Sequence, residues 1–235
     1  MCGRFSLFTV AEVVQRLFGL GEVPDYPKRY NVCPTDDIVV VRAGGDAAGE
    51  PERVGRLMRW GFVPTWAKDP EGMPLMINAK AESVFEKPAF RTAAKHQRCL
   101  VPADGFYEWK KLKGGEKQPM FIRLQDDRPM ALAGLWSEWS GKLEGEEVAF
   151  QSCVILTTDT NDLLRPVHDR MPVIMDQDGW SLWLDPTIDD PELLHPLLAP
   201  FDAARMKMWP VSRKVNKPQA DGAELIEPKG QQTLF

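Results

Sequence analysis

The chain has 235 residues, 43% hydrophobic and 27% charged, with a formal net charge of −5. It is long enough to bury a core of its own, and no apolar run reaches the length of a membrane span or follows a basic N-terminus as a secretory leader does. The acidic balance argues against a broad nucleic-acid surface but leaves room for a local basic groove.

Residues 2–8 read as a short strand. Thr9 and Glu12 form a capping-box pattern, and Val10, Val13, Val14, Leu17 and Phe18 mark an amphipathic helix ending at Gly19. Apolar or alternating runs predict strands at 38–42, 53–60, 98–101, 120–124, 131–139, 148–157 and 171–175. Gly114-Gly115 and residues 141–146 read as hairpin turns, and helices are expected near 79–85, 178–184 and 191–198. Strands outnumber helices and adjoin through short turns. The pattern predicts an α+β fold with a mainly antiparallel, barrel-like sheet core and flanking helices. Residues 1–228 are expected to form one domain, followed by a flexible tail at 229–235.

The four cysteines, Cys2, Cys33, Cys99 and Cys153, lie far apart with no metal-ligand spacing. A cytoplasmic chain keeps them reduced, and Cys33, Cys99 and Cys153 are expected to be buried or inert. Cys2 is different. Removal of Met1 would give it a free α-amine beside its thiol, and an amine–thiol pair can condense with an aldehyde to an imine and close it to a thiazolidine. Of three histidines, His168 sits in a loop between apolar strands, where it is either an acid–base group or a surface side chain. Glu108 lies on a strand between aromatics, either a buried proton carrier or a salt-bridged edge residue. Asn78 either caps the following helix or presents a neutral donor and acceptor to a site. Asp104 reads as a turn residue. Among the eight tryptophans, Trp136, Trp139, Trp180 and Trp183 are assigned to the core. Trp66, in a Gly/Pro/Lys-rich loop, suits base stacking.

The segments "MCGRF" (1–5), "RYNVCP" (29–34), "RWGFVPTWAKD" (59–69), "INAKAE" (77–82), "ADGFYEW" (103–109), "VHDRMP" (167–172), "WPVSR" (209–213) and "GAELIEP" (222–228) occur in this order. Together they resemble the SOS-response-associated peptidase (SRAP) family, whose members shield abasic sites in single-stranded DNA by covalent crosslinking. The resemblance implies that Cys2 is the crosslinking nucleophile and that Asn78 contacts the opened sugar or holds the Cys2 amine. Glu108 would move protons there, and His168 would assist ring opening and reversal. Thr157 falls at an active-site threonine. Arg4, Lys80 and Arg170 would hold phosphates, while Pro34 and Trp66 would wall the groove. Autopeptidase and lyase-like chemistry are implied as lesser activities, with no cofactor and no metal. Two departures stand out: Lys80 occupies a position where arginine is usual, and Cys33 replaces a small apolar residue.

The last five residues, with Gln231, Leu234 and Phe235, are similar to peptides that insert into a replication sliding clamp. A monomer is expected. Two rival readings remain. One is an N-terminal-nucleophile amidohydrolase such as a glutamine amidotransferase, whose Asn-Gly oxyanion segment this chain lacks. The other is a non-catalytic single-stranded DNA binding module.

Overall fold

Strands with no polar face belong inside, and here they close on themselves. The computed structural model describes residues 2–44 and 53–230. In chain order the strands are β1 (Phe5–Leu7), β2 (Leu20–Glu22), β3 (Arg29–Val32), β4 (Asp37–Ala43), β5 (Arg53–Trp60), β6 (Asn78–Lys80) and β7 (Arg98–Ala103). Then come β8 (Gly105–Lys111), β9 (Lys117–Leu124), β10 (Met130–Leu143), β11 (Glu146–Asp159), β12 (Arg170–Pro172) and β13 (Met206–Pro210). Among the described residues four α-helices flank them: α1 (Ala11–Phe18), α2 (Arg91–His96), α3 (Trp180–Leu184) and α4 (Pro191–Leu194).

One sheet runs β12-β11-β10-β7-β4-β5-β2. Within it β5 also meets β11 in parallel, Ser152 opposite Arg59 and Cys153 opposite Trp60. That seam closes β5-β4-β7-β10-β11 into a five-stranded barrel. The interior explains the composition of its walls: all six residues of β7 and the four from Ile38 to Val41 are buried. The short β6 extends the seam by pairing in parallel with β11, Asn78 opposite Ile155 and Lys80 opposite Thr157. The α+β class and barrel-like, mainly antiparallel core expected from the sequence are therefore observed.

The second sheet, β13-β9-β8-β1-β3, carries the N-terminus. Its β8 alternates between two cores: Phe106 enters the main cluster and Tyr107 a smaller one with Phe121, Val211, Val215 and Leu225. Period-two alternation then returns Glu108 to the main-core side, where Cys2 lies. Gly105 is required for this geometry, because a Cβ there would stand 2.2 Å from the Phe121 ring and 2.8 Å from the Ile122 carbonyl oxygen.

Several local expectations are corrected. Thr9 does not cap α1, whose N-cap is Val10 without a side-chain bond. Thr9 instead donates through Oγ1 to Asp104 at 2.6 Å, and Asp104 also accepts from the Phe8 and Thr9 amides at 2.6 and 2.7 Å. Asp104 does sit in the bend between β7 and β8, as expected, and its fully buried carboxylate also ties off the end of β1. The 79–85 helix is only a 3-10 turn at Ala81–Ser83 preceded by β6, and Asn78 does not cap it. Trp136 is half-buried with the Arg42 guanidinium 4.8 Å from its ring centre, while Trp139, Trp180 and Trp183 are buried as expected. Cys33 is also only half-buried. The clamp-like residues Gln231, Leu234 and Phe235 lie outside the described residues. Among the described residues no helix is long and apolar enough to cross a membrane.

Candidate active site

Cys2 precedes β1 and is fully buried. The register Phe5 opposite Phe106, with the Tyr107 amide donating to the Arg4 carbonyl at 2.9 Å, brings Cys2 beside Glu108 on the neighbouring strand. Burial, reinforced by the Glu108 carboxylate, pushes the Cys2 thiol well above its ordinary value of 9.0. The thiol therefore carries its proton at neutral pH. From the other side Asn78 Nδ2 donates to the Cys2 carbonyl at 2.8 Å. Asn78 Oδ1 is buried and makes no hydrogen bond. A buried amide oxygen left in that state is a ready acceptor for a donor that enters beside Cys2.

Glu108, 2% exposed, reaches a cleft of about 530 Å³ together with Trp109, Lys111, Lys117 and residues Pro166 to Asp169. His168 lines the same cleft. Its Nδ1 accepts the Arg170 amide at 3.0 Å and lies 2.8 Å from Asp169 Oδ1. The first contact suits the neutral ring and the second the protonated one, so the histidine has a partner in either charge state. Asn78 and Glu108 thus meet at Cys2, and Glu108 in turn shares its cleft with His168. Among the described residues no group of three or more His, Cys, Asp or Glu could hold a metal ion.

The remaining candidates divide. Thr157 is buried opposite Lys80, two pairs along from Asn78, and Lys80 is exposed. Arg4 donates through Nη1 to Asn31 Oδ1 at 2.9 Å and to the Val215 carbonyl at 2.8 Å, both neutral oxygens that fix the guanidinium without cancelling its charge. Arg170 differs. It is ion-paired with Glu82 at 2.6 Å and Asp159 at 3.0 Å, and also donates to the Thr157 carbonyl at 2.5 Å. Two carboxylates already answer its charge, so it acts here as a brace between β11, β12 and the turn after β6. Trp66 is 58% exposed, in the loop after β5. The Thr35 amide, next to Pro34, donates to the Trp60 carbonyl at 2.8 Å, which sets the Pro34 turn beside the start of that loop. No hydrogen bond or ion pair among the described residues joins Trp66 to the Cys2 cluster.

Sequence reasoning missed Asn31, Trp109, Lys111 and Lys117. Asn31 is fully buried and its Nδ2 donates to the carbonyls of Val215, Lys217 and Ala220 at 3.3, 3.0 and 2.8 Å, clasping the C-terminal segment against β3 behind Arg4. The one available signal was its place in "RYNVCP".

A closed barrel with a buried cysteine at its N-terminal approach, an amide bonded to it, and beside it a carboxylate that shares a cleft with a histidine defines a cysteine-centred candidate site on an α+β scaffold. The match to known families makes this specific: the model of the SOS response associated peptidase (SRAP) family matches residues 1–218, and the chain belongs to that family. It is 41% identical over 230 residues to the abasic site processing protein YoqW of Bacillus subtilis, covering 97% of this chain and 99% of that one. Identity to the abasic site processing protein YedK of Escherichia coli is 30%, over 97% of this chain and 100% of that one. A crystal structure of a Bacteroides thetaiotaomicron protein superposes with a TM-score of 0.81 at 26% identity, over 97% and 99% of the two chains.

Proposed function

We propose that this protein processes abasic sites in single-stranded DNA, capturing them covalently through Cys2 once Met1 is removed. Family membership supports the substrate, and the contact of Asn78 with Cys2, with Glu108 beside that cysteine, supports the chemistry. An abasic deoxyribose exchanges between a closed ring and an open aldehyde. The freed Cys2 amine adds to the aldehyde carbon and expels water, giving an imine. The thiol, kept protonated by burial and Glu108, then adds across the C=N bond. Sulfur bonds to carbon, the thiol proton passes to nitrogen, and a thiazolidine results with no oxidant or reductant needed. Removing the imine this way suppresses the β-elimination that would cut the strand. Proton movement at the amine falls to Glu108, and ring opening to His168. With Nδ1 held by the Arg170 amide, His168 exchanges its proton through Nε2. Arg4 and Lys80 hold phosphates in this reading, Thr157 supports Asn78, and Pro34 and Trp66 line the path of the strand. Arg170 enters as the brace of that wall. The C-terminal peptide with Gln231, Leu234 and Phe235 would tether the protein to a sliding clamp, and deleting it would abolish clamp pull-down while sparing capture.

The test is a denaturing gel and mass spectrometry with abasic and intact strands. A shifted band with the abasic strand alone, lost or converted to strand cleavage in Cys2→Ser, is expected. An undiminished adduct in Cys2→Ser would remove the thiazolidine, and equal retention of both strands would favour the non-catalytic binding module.

A further inference from the structure

The cleft that holds Glu108 and His168 has an outer wall the chemistry above does not use. Lys111 and Lys117 form it with Trp109. The two lysines stand directly opposite each other at the turn end of the β8–β9 hairpin. They are joined by a turn in which Gly114 and Gly115 adopt φ of 91° and 86°, a conformation that favours glycine. Like charges facing across an antiparallel pair repel, so this arrangement works against the hairpin that contains it. The carboxylate within the turn itself, Glu116, is taken by Arg213 at 2.7 Å. Neither lysine makes an ion pair among the described residues. Residues 110–117, KKLKGGEK, carry four lysines on a chain of net charge −5. Trp109 Nε1 donates to Asn216 Oδ1 at 2.8 Å, which joins the hairpin to a second basic strip of Arg213, Lys214 and Lys217, all exposed.

We infer that this hairpin is a phosphate clamp: Lys111 and Lys117 hold the backbone of the DNA segment flanking the captured nucleotide, on the side of the site where the cleft opens. The inference rests on the abasic-site reading and extends it to the length of strand engaged. A polyanion removes the repulsion that the folded hairpin otherwise carries, and it does so beside the reacting groups, not on a remote face.

The test compares wild type with the double variant Lys111→Gln/Lys117→Gln, both sites being exposed; a melting temperature no lower than that of wild type confirms the fold. Two substrates carry the same abasic site, a trinucleotide and a strand of about 15 nucleotides, a length chosen so that flanking phosphates are present. Capture of the trinucleotide is expected at the wild-type rate. For the longer strand, the slope of log K against log salt should shrink by about 1.4, two contacts at about 0.7 each, with affinity falling about tenfold at low salt. An unchanged slope and affinity for the longer strand would overturn the clamp. An equal loss with both substrates would also overturn it, by placing the lysines at the lesion itself. Failure of wild type to capture either substrate would remove the abasic-site reading, and the clamp with it, and is separable because it needs no variant.

Discussion

Replacing Asn78 by alanine tests the contact on which the proposed chemistry turns. The substitution deletes the donor that meets the Cys2 carbonyl at 2.8 Å and the buried Oδ1 that makes no other bond. Leaving a buried carbonyl unpaired costs about 1–3 kcal/mol. In a chain of this size that lowers the melting temperature by roughly 2–12 °C, at about 2–4 °C per kcal/mol. If the same contact orients the Cys2 amine during attack, a loss of about 2 kcal/mol in the transition state slows adduct formation about 30-fold. The assay is single-turnover crosslinking to an abasic oligonucleotide at saturating DNA, read on denaturing gels well below the variant's melting temperature. Saturation removes any binding defect from the rate. A rate within about twofold of wild type, with the melting temperature lowered, would mean that Asn78 holds the N-terminus in place and does nothing for the reaction.

Alkali should destabilise the fold through its buried thiols. Burial raises Cys2, Cys99 and Cys153 above 9.0, so the unfolded chain loses these protons first and stability falls as pH rises beyond about 9. Urea midpoints at pH 7.5 and at about pH 10 check this, with a limiting slope of about 1.4 kcal/mol per pH unit for each thiol; a flat profile would contradict it. Trp66→Ala should weaken single-strand binding about 5- to 150-fold, the worth of one base stack at about 1–3 kcal/mol, and leave the melting temperature unchanged because the ring is exposed. Unaltered affinity in fluorescence anisotropy would remove Trp66 from the strand's path. In Arg170→Gln the Glu82 carboxyl loses the hydrogen bond that holds it below 4.5. A depressed carboxyl contributes stability above its unfolded value and loses it as pH falls, so the acid limb of the wild-type stability curve should be steeper than the variant's. Parallel acid limbs would show that the pair contributes nothing.

The barrel strands were legible because a strand buried on both faces writes its whole length in apolar residues, as β4, β7 and the centre of β11 do. The three-residue strands β2 and β6 were not, since each exists through pairing with a distant strand and carries no pattern of its own. The Thr9–Glu12 pattern misled for the opposite reason: Asp104, 95 residues away, offers Thr9 a better-placed charged acceptor than its own helix does. Among the site residues, Cys2, Asn78, Glu108 and His168 were legible as chemistry in motifs. Their meeting was not, because Asn78 and Cys2 are 76 residues apart and only the β1–β8 and β6–β11 registers join them. Arg170 read as a phosphate ligand for want of its partners, as Glu82 lies 88 residues before it and becomes a neighbour only through the β11–β12 pairing.

The seam between β5 and β11 has a consequence for the order in which this molecule is made. Its two residue pairs join positions more than 90 residues apart, Arg59 to Ser152 and Trp60 to Cys153, and β6 is laid along the same edge. Such long loops close late, after the local hairpins β8–β9 and β10–β11 have formed. Asn78 is therefore delivered to Cys2 among the final events of folding. A partly folded chain without that seam lacks the amide that holds Cys2 in place. Barrel closure and the placement of Asn78 against Cys2 are coupled through one short stretch of parallel ladder, so the candidate site is assembled only as the barrel shuts.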